Sequence, residues 1–275
     1  MAELSVMILC GPSPRHIYVA NRLTLGARPV AIVQETGTKW TLRKVVKTLK
    51  PGEFSRKAGR WLRDRRRYAG NKEAEFFFED RPPIFIREEL VTRVPYINHP
   101  KVTEIAKQRK PDVIAVFGTT LIKPPLLGQG RLGMVNLHGG LSPEYRGADC
   151  TFWALYNGEP EKVGCTLHYI DAGIDTGRLI AHVCPEVKPA DDELTLFWRA
   201  VRDGAEAYAE LLNHIACGEQ FGQAQTEPGR LYRVKDRLWR HERTLSNRLE
   251  KQPVVEKPIP PRVRWFTDQE TSPPA

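Results

Sequence analysis

Nowhere in the 275 residues does a Cys-x-x-Cys pair occur. Cys10, Cys150, Cys165, Cys184 and Cys217 are odd in number and far apart, which argues against a zinc or dithiol motif and fits reduced thiols in a cytoplasmic protein. No apolar run approaches the roughly 18 residues a membrane helix needs. The opening "MAELSVMILCGPSPR" has neither the basic flank nor the small-residue cleavage site of a secretory signal, so the expected location is the cytoplasm. Acidic residues are scarce in one place: within 39–72, thirteen Lys and Arg face Glu53 and Asp64 alone. The chain's net charge of +9 therefore resides in that segment, and the remainder is slightly acidic.

What is present reads as a globular α/β protein. Hydrophobic residues make up 41%, enough at this length to bury a sizeable core. "LSVMILCGP" (4–12) is a buried strand closed by Gly-Pro. Ser13-Pro14 then supplies an N-cap and a first-turn proline for a helix carrying Ile17, Ala20 and Leu23 inward. "PVAIVQE" (29–35) follows as a second strand, a β-α-β opening that predicts a parallel sheet. The pattern resumes with a helix over 99–110, a strand over 111–118, a turn and short helix at "IKPPLLG", and a strand "MVNLH" (134–138). Beyond a helix at 151–159, "GCTLHYID" and "GRLIAHVCPEV" predict an antiparallel pair, whose exposed edge within 160–187 offers a contact for a homodimer. Asp191-Asp192 caps a long amphipathic helix, 193–216, that closes the core.

The predicted catalytic domain is 1–216, interrupted by a basic helical insertion at 37–80. There Leu42, Val45, Val46 and Leu49, then Phe54, Ala58, Trp61 and Leu62, fall at helical spacing around Pro51-Gly52. Its cationic face reads as a surface for nucleic acid, acidic lipid or a phosphorylated substrate, or as a solvated helical excursion. Residues 217–275 form a short C-terminal extension with a proline-rich, mobile tail.

Asn136 and His138 share one face at the carboxyl end of a strand, where open parallel sheets place their sites, and the glycines after them allow close approach to the backbone. Asp171 and Asp175 lie in the loop "DAGIDTG". If that loop folds over the strand, an amide, an imidazole and a carboxylate meet, a set suited to acyl transfer onto an amine. By spacing alone, turn and capping roles fit these residues as well. Cys150 reads as a small buried hydrophobe, since nothing local would lower its pKa.

The run from Val135 to Ala181 resembles the 10-formyltetrahydrofolate-dependent formyltransferases. It holds Asn-x-His, Leu-x-Pro-x-Tyr-Arg-Gly, Gly-x-Thr-x-His and Asp-Thr-Gly in order and at family-like spacing. The resemblance extends over about 100–215, more loosely over 4–35, and implies a Rossmann-like, mostly parallel sheet flanked by helices. It also implies Asn136, His138 and Asp175 as the catalytic trio, with Asn136 and His138 holding the oxyanion and no metal required. Phe117, Gly118, Thr120, Ile122 and Asp171 would contact the folate. His168 matches a position near the site, in a catalytic or a structural role. On the acceptor side the candidates are Ser13, Arg15 and His16 of the N-terminal turn, Tyr145 and Arg146 of the loop, and Asp149, which either reads the acceptor or caps the following helix.

The expected acceptor is a small, phosphate-bearing amine, above all an amino-sugar nucleotide, because "GRLYRVKDR" resembles the short extension of enzymes of that type. Alternatives are methionyl-tRNA, an amino acid or siderophore amine, and water in a hydrolase. A methionyl-tRNA enzyme would carry a C-terminal β-barrel larger than 217–275, and the hydrolases carry an N-terminal regulatory domain. A non-catalytic nucleic-acid-binding module is disfavoured by the intact trio.

Overall fold

A computed structural model describes residues 3–37 and 70–267. Most of the basic insertion, 38–69, lies outside the described residues, and with it the two helices expected there. The first strand, β1 (Ser5–Cys10), is buried along its whole length and pairs in parallel with β2 (Arg28–Glu35) on one side and β4 (Val113–Phe117) on the other. Burial on both faces is why these strands read as unbroken apolar runs. β3 (Val91–Val94) extends the sheet beyond β2, and β5 (Gly133–His138) lies beyond β4, again in parallel. β7 (Cys165–Tyr169), β8 (Leu179–Cys184) and β10 (Arg262–Trp265) complete the eight strands as antiparallel additions, in the order β10-β8-β7-β5-β4-β1-β2-β3. A two-stranded ladder joins β6 (Arg146–Gly147) to β9 (Leu231–Tyr232).

Helix α1 (Pro14–Gly26) and the long helix α5 (Glu193–Ala216) cover one face of the sheet together with α2 (Lys72–Phe78), whose Phe77 and Phe78 pack on Tyr18. The stretch from Lys72, assigned to the insertion from sequence, is thus part of the core packing. α3 (Pro100–Arg109) covers the other face through Val102 and Ala106. α5 is seated on β5 by Gly204, where a Cβ would come within 2.9 Å of Leu137. The Tyr208 hydroxyl donates to the Val135 carbonyl (2.7 Å) and accepts from Val116 N–H (3.3 Å), tying the helix to both strands that carry the site. Its N-terminus is capped as expected, Asp192 accepting from Thr195 N–H.

Three expectations are corrected. "IKPPLLG" is a run of hydrogen-bonded turns with no helix of its own. The proline-rich tail is ordered through residue 267: Val187 pairs with Ile259, β10 lies along β8, and Phe266 is buried. Its prolines immediately precede an edge strand, where a missing N–H costs little. For the same reason the 160–187 strand pair is interior to the sheet; β10 covers the edge proposed for a second subunit. α6 (Trp239–Leu249), part of the C-terminal extension, packs against α4 (Cys150–Tyr156).

Candidate active site

Alternation along β5 turns Leu137 toward α5 and leaves Asn136 and His138 on the opposite face, at the carboxyl end of the strand. In register, Asn136 stands opposite His168 of β7 and beside Val116 of β4. A cavity of about 490 Å³ opens there. Its walls are the 116–122 turn, the end of β5, Gly147-Ala148, the 170–175 loop and residues 231–234. The structure thus gathers Asn136, His138 and Asp175 with Phe117, Gly118, Thr120, Ile122 and Asp171 around one space.

His138 is buried between two acceptors. Nε2 lies 3.1 Å from the Tyr145 carbonyl, and Nδ1 lies 3.4 Å from Asp175 Oδ2. A neutral imidazole has one N–H to give, so only the protonated ring meets both. Burial lowers its pKa more than the Asp175 charge restores it, and the ring is neutral at rest. Asp175 is the charged member of the pair. Burial works to raise its pKa, yet His138, His168 and the Gly147 N–H (3.0 Å to Oδ2) outweigh it and hold the carboxyl down to about 2.

His168 Nδ1–H donates to the Tyr169 carbonyl (2.8 Å), which leaves Nε2 to accept from Asn136 Nδ2 (3.1 Å). The same nitrogen is 3.5 Å from Asp175 Oδ1. His168 therefore touches two members of the trio and sets the amide orientation of Asn136, whose second amide hydrogen remains for the cavity. Cys150 Sγ sits 3.6 Å from His138 Nε2, but burial, with Asp175 and Asp149 adding to it, pushes the thiol's pKa well up, so it stays protonated and is no nucleophile.

The loop that returns Asp175 is built by short-range bonds. The Asp171 carboxylate accepts from Gly173 N–H (2.9 Å) and Thr176 Oγ1 (2.7 Å), so it organises its own turn while lining the cavity. Asp175 has φ +52°, a left-handed conformation for a non-glycine residue. The Gln225 side-chain amide holds it there by donating to the Asp175 and Gly177 carbonyls (3.0 and 2.7 Å). Across the cavity, the 117–122 turn is fixed by buried Glu35, which accepts from the N–H and hydroxyl of Thr120 (2.7 and 2.8 Å) and from Ile97 N–H (3.1 Å). Thr120 lines the cavity with both of these donors engaged behind it.

The acceptor-side candidates separate. His16 is wedged between Gly11 and Gly118, where a Cβ on either glycine would lie within 2.4 Å of its ring. Burial first, and the Arg15 charge second, lower its pKa to about 3. Its Nδ1 accepts from Ser13 N–H (3.2 Å), while the Arg15 guanidinium pairs with Glu73 (2.8 Å). Ser13, Arg15 and His16 thus secure α1 and do not line the cavity. The Tyr145 hydroxyl bonds Glu159 and Asn157, and its carbonyl meets His138, so it shapes the loop. Arg146 is the outer neighbour of the Gly147 wall through the β6–β9 ladder. Asp149 makes no side-chain cap to α4. Its carboxylate reaches Arg237 (3.1 Å), whose side chain is 1% exposed and also binds Glu193 (2.9 Å) and Glu242 (2.5 Å) above the Phe152 ring.

From the sequence, Glu35 and Gln225 carry no role, and 229–237 enters only as a resemblance to a short extension, without Arg237 as an ion-pair centre or 231–234 as a cavity wall. The partners of Glu35, Gln225 and Arg237 lie 85, 50 and 88 residues away, so no local pattern announces them. Among the described residues no His, Cys, Asp and Glu group is arranged to hold a metal ion, and no helix is long and apolar enough to cross a membrane.

The family model described as formyl transferase matches residues 32–212. A methionyl-tRNA formyltransferase of Chlorobium chlorochromatii is 37% identical over 126 residues, 46% of this chain and 40% of that protein. The chain matches less than half the length of such curated relatives. Among solved structures, a 4-N formyltransferase from Francisella tularensis superposes with a TM-score of 0.56 at 11% identity, covering 92% of this chain and 90% of that one. A sugar N-formyltransferase from a Shewanella species gives 0.54 at 15%, covering 88% and 86%. At these identities the two structures show a shared fold.

Proposed function

Since the chain belongs to the formyl transferase family, we propose that it moves a formyl group from 10-formyltetrahydrofolate to a primary amine, with Asn136, His138 and Asp175 as the catalytic trio. The observation that carries this reading is the convergence of the three side chains on one cavity, between the 117–122 turn and the 170–175 loop. The donor's pterin lies between those two segments, against Phe117, Gly118, Ile122 and the backbone around Asp171. The amine nitrogen attacks the formyl carbon; a C–N bond forms, and the carbonyl electron pair moves to oxygen. The free amide hydrogen of Asn136 meets that oxyanion. His138 accepts the amine's proton at Nδ1, where Asp175 stabilises the imidazolium, and the resulting positive charge lies beside the oxyanion. The proton passes on to N10 of the folate as the C–N10 bond breaks and the carbonyl re-forms. Tetrahydrofolate and the formamide leave.

An amino-sugar nucleotide is the proposed acceptor. Support comes from architecture that continues through the C-terminal extension in the 4-N and sugar N-formyltransferase structures. Transfer to methionyl-tRNA is the second reading, favoured by the 37% identity over 126 residues. Incubation with 10-formyltetrahydrofolate and a panel of amino-sugar nucleotides, amino acids and charged tRNA, following tetrahydrofolate release, tests both. Release with no acceptor would indicate hydrolysis instead. His138→Ala is expected to abolish transfer in a folded protein, and unchanged turnover in it would refute the trio.

A further inference from the structure

A second cavity, of about 380 Å³, opens at the carboxyl end of β2, and none of its wall residues belongs to the reaction cavity. Ile17 of α1, Ile84 and Phe85 form its apolar wall, and Gln34, Glu88 and Arg93 its polar end. The wall is held from behind. Asn21, one helical turn after Ile17 and buried, donates from Nδ2 to the Ile84 carbonyl (2.8 Å) and accepts at Oδ1 from Ile86 N–H (3.0 Å). The segment is thereby fixed with Phe85 inward and Ile84 outward, the latter 64% exposed.

One buried group at the polar end is incompletely bonded. Gln34 is 6% exposed and its Oε1 accepts from Arg93 Nε (3.2 Å), which leaves its amide N–H groups with no partner among the described residues. A buried donor left unmet is costly, so the position favours a ligand that accepts from it. Arg93 Nη2 in turn binds Glu88 Oε1 (2.6 Å), and both of these side chains are half-exposed. One bonded cluster thus offers an amide donor, a guanidinium donor and a carboxylate acceptor beside an apolar wall.

Strand register ties this cavity to the reaction centre. Cys10, at the end of β1, pairs with Gln34 on one side and Phe117 on the other, and β5 with Asn136 lies one strand beyond. At roughly 4.8 Å between neighbouring strands, Gln34 stands about 10 Å from Phe117 and about 15 Å from the strand of Asn136. The sheet changes its direction of growth at the same place. β2 and β3 lie to one side of β1, and β4 and β5 to the other. The two cavities therefore flank the switch point, the crevice in which open α/β sheets take extended ligands.

Resting on the amino-sugar nucleotide reading above, we propose that the second cavity seats the base of the acceptor and selects a pyrimidine-2,4-dione, uracil or thymine. The ring lies against Ile17, Phe85 and Ile84. One ring carbonyl accepts from Gln34 Nε2, the other from Arg93, and N3–H donates to Glu88. Cytosine carries an amino group in place of one carbonyl and has no N3–H, so it leaves Gln34 or Glu88 unmet. The ribose and phosphates cross the carboxyl end of β1, and the sugar amine reaches His138.

The test is isothermal titration of the full chain with UDP, CDP and ADP. UDP is expected to bind about tenfold more tightly than the other two, the factor that one unmet polar group sets. Gln34→Leu, close in shape, should remove the preference by weakening UDP about tenfold. Ile84→Asp alters an exposed side chain outside the core and should weaken all three. Affinity for 5-formyltetrahydrofolate, a stable formyl folate, should stay unchanged in both variants, because the donor turn is held by Glu35 on the opposite face of β2. Equal affinities for the three nucleotides would overturn the proposal, as would a folded Gln34→Leu protein that keeps the preference or an Ile84→Asp protein that binds UDP unchanged. Formylation of amino-sugar nucleotides without any UDP preference refutes this inference alone; formylation of charged tRNA with no binding of UDP refutes the acceptor reading and this inference together.

Discussion

Asp175→Asn separates the charge of the trio from its shape. The substituted side chain keeps an oxygen to accept from Gly147 N–H, so the 170–177 loop retains its anchor, and Gln225 still holds the backbone at 175 and 177. What disappears is the carboxylate 3.4 Å from His138 Nδ1, the one partner that favours protonation of that nitrogen. Burial already lowers the His138 pKa, and without the carboxylate it falls further. Weakening the general base His138 in this way is expected to reduce kcat by about 10²–10⁴-fold. A second consequence concerns stability. The Asp175 carboxyl is depressed from 3.8 to about 2 and its side chain is 14% exposed, so the charged form is favoured in the fold with little relief from solvent. At about 1.4 kcal/mol per pKa unit, that depression is worth about 2 kcal/mol. Because the folded pKa lies below the unfolded one, this stabilisation is present above pH about 4 and is lost as pH falls toward about 2. Urea unfolding across that window should show the unaltered protein losing about 2 kcal/mol that the Asn variant does not lose. Parallel stability curves, or turnover within about threefold of the unaltered enzyme, would refute the assigned role.

Three further outcomes follow from the same contacts. Arg237→Met leaves Asp149, Glu193 and Glu242 facing one another without their shared cation and should cost about 3–5 kcal/mol in urea unfolding; a loss below about 1 kcal/mol would mean that the cluster is dispensable. Gly147→Ala places a Cβ 2.2 Å from the Tyr232 carbonyl at φ +90°, so stability should drop by about 1–3 kcal/mol and donor KM should rise as β9 is pushed off the cavity, measured by thermal unfolding and steady-state kinetics. Gln225→Ala removes both bonds to the Asp175 loop; turnover should fall about tenfold with a stability change near 1 kcal/mol, and unchanged kcat would show that the loop holds its position unaided.

The parallel half of the sheet was legible because β1, β2, β4 and β5 are buried strands of five to eight residues, each written as an apolar run. β3, with four residues and an exposed Arg93, and β6 and β9, with two residues each, carry no period to detect. β10 hides behind prolines and exposed charges because an edge strand needs little apolar surface. In the site, the two-residue spacing of Asn136 and His138 shows a shared face, while the return of Asp175 depends on a left-handed residue that no spacing predicts. Asp149 shows the limit plainly. At the start of a helix it reads as a cap or an acceptor contact, yet it is an ion-pair partner for a buried arginine 88 residues later.

That long connection changes how the C-terminal extension should be understood. The family match ends at residue 212, but Gln225 fixes the backbone of Asp175, β9 pairs with the strand whose Gly147 N–H binds the Asp175 carboxylate, and Arg237 holds the Asp149 turn beside it. Two side chains of the trio stand on β5; the third is held from outside the matched region as well as from within. Residues 231–234 then form a wall of the same cavity. An extension placed this way can alter which molecules fit while leaving the β5 chemistry intact, since it forms part of the cavity wall and bonds the loop backbone. Variants on β5 should therefore act mainly on kcat and variants at 231–234 mainly on KM, with Gln225 and Gly147 moving both because they join the two parts.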